Sequence, residues 1–72
     1  MIYILHRIGY TNWDEVRCLV VRAVNPESAR LIASHHHADE GAHVWTDPTH
    51  TTCEVLRVQG DPGLILRDFK AG

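Results

Sequence analysis

No apolar run in this chain approaches the roughly 20 residues that a membrane-spanning helix needs. The opening "MIYILHRIGY" also lacks the basic start, long apolar run and small-residue cleavage site of a secretory leader. Cysteine is scarce, with only Cys18 and Cys53 present, so no disulfide framework is expected. These absences predict a reducing, cytoplasmic setting with both thiols free. Positive charge is sparse and scattered. Arg7, Arg17, Arg22, Arg30, Arg57, Arg67 and Lys70 are never adjacent, and the formal net charge is −2. That balance argues against a dedicated duplex binder, which presents a basic stripe, and it is too weak for a DNA mimic. "GDPG" has neither the length nor the lysine of a phosphate loop.

The 72 residues allow one domain, 1–72, with a thin core. Domains of this size often gain stability from a metal, a disulfide or a partner subunit. "MIYILHRI" reads as a first strand, with Ile2, Ile4 and Ile8 on one face and Tyr3, Leu5 and Arg7 on the other. His6 falls on the isoleucine face and is expected to be a hydrogen-bonded core residue. After a "GYTN" turn, a valine-rich second strand is predicted from about Trp13 to Val24. Both of its faces are apolar, which suggests a central strand or a covered edge.

"NPESARLIASHH" predicts a helix from Pro26 to about His36, with Asn25 as N-cap and Pro26 at its first position. Ala29, Ile32, Ala33 and His36 form the stripe expected to face the sheet. Leu31 lies off that stripe. It belongs either to a wider buried face or to an intermolecular contact. Gly41 is a plausible left-handed stop. "AHVWT" is predicted as a short strand and "DPTH" as a turn. "TTCEVLRVQ" reads as a strand or as a helical turn leading into one. "LILRDF" is the expected last strand. The fold class is α+β, in the order β-β-α-β-β-β, with one helix on a mostly antiparallel sheet. The passage from strand two through the helix to strand three is a candidate parallel crossover.

Residues 34–54, "SHHHADEGAHVWTDPTHTTCE", hold five of the six histidines and one of the two cysteines. A zinc site needs three or four converging ligands. His35, His36 and His37 diverge by about 100° each on a helix and cannot share one ion. No Cys-x-x-Cys or His-x₃-His spacing occurs. The remaining candidates are His35, His43, His50 and Cys53; no metal and no cofactor is expected. A nucleophilic trio of Cys53, His50 and Asp47 is conceivable, but residues so close in sequence seldom reach triad geometry. Cys18, among valines, reads as core. The carboxylates Asp14, Glu15, Asp39, Glu40 and Asp61 read as solvated faces or caps. Of the two tryptophans, Trp45 is the better core candidate and Trp13 the better contact candidate.

From Glu40 onward the chain resembles the C-terminal half of short uncharacterised proteins of actinobacteria and their bacteriophages. The likeness is carried by "VWTDP", "TTCEVL" and "PGLILRDFKAG", with weaker support from the strand–helix joint "VRAVNPESARLIA". The stretch from Glu40 onward and that joint together cover about two thirds of the chain. The resemblance brings no catalytic or metal-ligand set. It implies a cytoplasmic setting (that of the host cell if phage-encoded) in which small accessory proteins act by binding host proteins.

The expected function is therefore a non-enzymatic protein-interaction module that binds a host or self partner, with a homodimer or other homo-oligomer expected. Trp13, Leu31 and Trp45 are its contact candidates. A metal or Cys/His site within residues 35–53 is the second reading. A nucleic-acid or nucleotide binder using Arg7, Arg17 and Arg22 on a sheet face is the third.

Overall fold

The computed structural model of the chain describes residues 1–68. It is an α+β fold with elements β1 (Ile2–Arg7), β2 (Cys18–Arg22), α1 (Pro26–Ser34), α2 (His43–Thr46) and β3 (Thr51–Leu56). The strands form an antiparallel sheet in the order β2-β1-β3. β2 and β3 therefore run parallel to each other with β1 between them, and the α1–α2 segment carries the chain across β1.

β1, rather than β2, is the central strand, which accounts for its apolar residues on both faces. With both faces apolar, alternation alone does not decide which one meets the helix. The layer beneath α1 is built on Tyr3, Leu5 and Val21, joined by Ala23, Ala29, Ala33, Val44 and Trp45. Ile2 and Ile4 lie on the opposite, outer face, and His6 beside them is exposed, so the expected core histidine is a surface residue.

α1 begins as its sequence dictates. The Asn25 side chain accepts a hydrogen bond from Ser28 N at 2.8 Å, and Pro26 opens the helix. Ala29 and Ala33 are fully buried, and their small side chains let the helix lie close on the sheet. Of the expected stripe, Ile32 is only partly covered and His36 is exposed. The helix ends at Ser34, where the hydroxyl donates to Leu31 O at 2.6 Å, so His35–His37 follow the last turn.

Three predicted strands differ. β2 starts at Cys18, because Asp14 takes a positive φ of 60° and the preceding residues form a loop. "AHVWT" is a helical turn. Val44 and Trp45 are both buried, and two consecutive inward side chains do not fit a strand with one covered face. Among the described residues the "LILRDF" segment has no strand; 64–68 are irregular and Phe69 lies outside the described part. Ile65 and Leu66 line a cleft over the outer sheet face with Ile4, His6, Thr52 and Leu56. The segment then reaches β2, where Asp68 pairs with Arg17 at 2.7 Å. The 51–59 ambiguity resolves as strand over Thr51–Leu56.

Gly41 has φ 90° and turns the chain into α2. A Cβ there would meet the His43 ring at 3.0 Å, so glycine is required by both conformation and space.

Candidate functional site

Turn hydrogen bonds and a ring contact shape the histidine-rich segment. Asp47 Oδ1 accepts from Thr49 N at 2.8 Å and from Thr49 Oγ1 at 2.7 Å, closing the turn before β3. These hydrogen bonds, aided by His50, hold the Asp47 carboxyl below its usual range. His50 Nε2 stands 3.7 Å from Asp47 Oδ2, and the His43 and His50 rings meet edge-on with centroids 6.1 Å apart. His35 sits at the end of α1. Among the described residues no three His, Cys, Asp or Glu side chains converge where an ion could sit, so His43 and His50 meet without a third ligand from His35 or Cys53.

Cys53 lies within β3, two residues past the turn that ends at Thr51. It faces Leu5 across the β1–β3 ladder and packs on the core. Burial pushes its thiol above the usual range, only partly offset by the Arg30 guanidinium. Cys18 is raised too, by burial and then by Asp68. A nucleophilic cysteine needs the opposite shift. The Cys53–His50–Asp47 trio is thus a pair of turn residues beside a packed thiol.

Two polar groups that the sequence did not single out hold this half of the molecule. Glu40, expected on a solvated face, is buried. Its Oε2 accepts from Trp45 Nε1 at 2.7 Å, and its Oε1 accepts from Val16 N and Ala38 N, each at 3.1 Å. Burial opposes the charge, but these donors outweigh it and keep the carboxyl below the usual range. Arg30 reaches from α1 to β3. Its Nη1 donates to Thr51 Oγ1 at 2.8 Å and Trp45 O at 3.2 Å, and its Nη2 to Thr51 O at 2.9 Å. The available signal was Trp45: a buried indole N–H demands an acceptor, and Glu40 is the nearest carboxylate before it.

The nucleic-acid candidates are divided. Arg7 bonds Glu15 and Val16 O, Arg17 bonds Asp68, and Arg22 lies on the other face of β2. No shared cationic face results from these three.

Among the described residues, the β2 edge of the sheet is unpaired. Arg7 N donates to Arg17 O and Ala23 N donates to Met1 O, which fixes the alternation along the β1–β2 ladder. The main-chain groups of Leu19 and Val21 point to β1. Those of Cys18, Val20 and Arg22 point outward and have no partner among the described residues. Val20 is 53% exposed beside them. The other edge is partly closed: Thr51 N donates to Asp47 O, and Thr51 O accepts from Arg30. The contact candidates separate as well. Trp45 is fully buried, whereas Trp13 is 72% and Leu31 58% exposed. Leu31 therefore lies outside the buried face of α1. No helix among the described residues is long and apolar enough to cross a membrane. No protein-family model, curated protein or solved structure matches the chain significantly.

Proposed function

We propose that this chain is a non-enzymatic protein-interaction module that self-associates, an accessory protein of the cytoplasmic kind found in actinobacteria and their phages. The observation that supports this reading is the open β2 edge, with Val20 exposed beside its free main-chain groups. Such an edge is a ready template for another strand, and proteins that do not use one usually hide it. Trp13 and Leu31, large and exposed, add the residue types from which protein contacts are made. The chemistry of the His-rich segment lends no support to catalysis, because the thiols are raised and the carboxylates are consumed by turns and caps.

The test is light scattering of the intact chain across a wide concentration range. A mass that rises from monomer to a discrete oligomer is expected. A monomer at every concentration would remove self-association, the occupant chosen here, and leave a different protein as the partner to be sought.

A further inference from the structure

We propose that two copies of this chain pair antiparallel along β2 about a two-fold axis at Val20, so that two three-stranded sheets become one continuous sheet. This rests on the interaction reading above and names its partner and its register.

The register follows from geometry. Residues opposite each other in an antiparallel pair share a face, so a strand paired with its own copy has its axis at a residue. The outward main-chain groups of Cys18, Val20 and Arg22 can face their copies with the axis at any residue of β2, but an axis at Leu19 or Val21 pairs only part of the strand with itself. An axis at Arg22 sets two guanidiniums against each other. An axis at Cys18 carries the pairing off the strand into the loop. An axis at Val20 engages all of Cys18–Arg22.

The side chains agree with that choice. In "VRCLVVRAV", residues 16–24, Val16 matches Val24 and Leu19 matches Val21 about Val20, whereas Arg17/Ala23 and Cys18/Arg22 are unlike pairs. Val20 meets Val20 of the second copy, Leu19 meets Val21, and Arg22 meets Cys18. Arg22 is exposed and lies on the outer face. Asp68 stands next to Cys18, bonded to Arg17 at 2.7 Å and close enough to act on the Cys18 thiol. In this register each Arg22 therefore approaches the carboxylate of the other copy, twice per dimer. A charged residue on an edge normally discourages pairing. Here it opposes every alignment except the one that supplies its counter-ion. The β3 edge has no such match, because Arg30 and the Asp47 turn occupy its Thr51 end.

Two single-cysteine variants test this in a background with Cys18→Ser and Cys53→Ser. Paired Cα atoms at such an axis are about 5.5 Å apart, within the range a disulfide bridges. Val20→Cys is expected to give a covalent dimer on mild oxidation, and Val55→Cys, on the other edge, to remain monomeric. Arg22→Glu in the otherwise native chain is expected to weaken the dimer about tenfold, since it sets two carboxylates together. A dimer by light scattering that cross-links through Val55→Cys alone would overturn the β2 register while leaving self-association intact. A chain that is monomeric by light scattering and does not cross-link at Val20→Cys would remove both.

Discussion

Glu40 shows how a residue of ordinary appearance becomes structural. It stands in a loop beside Asp39, yet three donors from three segments converge on its carboxylate. Replacing it by glutamine keeps the shape but turns one acceptor into a donor that faces an N–H. The Glu40→Gln protein is expected to be about 1–3 kcal/mol less stable at neutral pH, measured by urea unfolding. The pH dependence follows from linkage. The folded pKa lies below the unfolded value of about 4.3, so the stabilisation is complete above that value and is lost as pH falls through the lower folded one. Wild-type stability should therefore fall more steeply on acidification in that window than that of Glu40→Gln; parallel curves would contradict the assignment. The cysteines give a second expectation at this scale. Both thiols should react slowly with an aromatic disulfide reagent at neutral pH and faster as pH rises past the usual thiol range. Fast reaction of Cys53 at neutral pH would revive the Cys/His reading. Trp45 was legible as a core residue from the sequence. The burial of Glu40 was not, because a carboxylate in a polar loop carries no local mark of the donors that will surround it.

Among the elements, α1 was the most legible, because Asn25, Pro26 and the buried Ala29 and Ala33 all state the same structure. β1 was legible as a strand but not in its orientation, since isoleucines on one face and Tyr3 and Leu5 on the other give no contrast in apolarity. α2 was misread as strand. "AHVWT" has β-prone residues, and what decides its shape is tertiary: Trp45 must bury its ring and still reach Glu40. Arg30 ties these elements together through its bonds to Trp45 O and Thr51. Arg30→Ala should cost about 1–3 kcal/mol, and Arg30→Lys should recover only part of it, because an ammonium cannot span the same acceptors. Equal stability of Arg30→Lys and wild type would show that the charge alone matters. For β2, Val20→Pro removes an N–H that points away from β1. It is expected to retain the far-ultraviolet circular dichroism of the native chain while abolishing the dimer. Persistence of the dimer would place the interface elsewhere.

For the molecule as a whole, the α+β class was legible because one well-capped helix stands between segments rich in strand-forming residues, whereas the sheet order β2-β1-β3 was not. Order depends on which strand finds a partner on both sides, and a single sequence does not encode that locally. The exposure of the contact candidates was partly legible. Trp13 and Leu31 stood out as large residues without an obvious place inside, and both are exposed. Trp45, the third candidate, is core. The outward main chain of Val20 became visible only once the register with β1 was known. A thin core on one side of a three-stranded sheet leaves, among the described residues, an unpaired β2 edge, which we propose is the contact surface. Sedimentation equilibrium of the native chain and of Val20→Pro, over the same concentrations, tests that claim most directly. The account predicts a reversible monomer–dimer equilibrium for the native chain and a folded monomer for the variant. Identical masses for the two folded proteins at every concentration would contradict it.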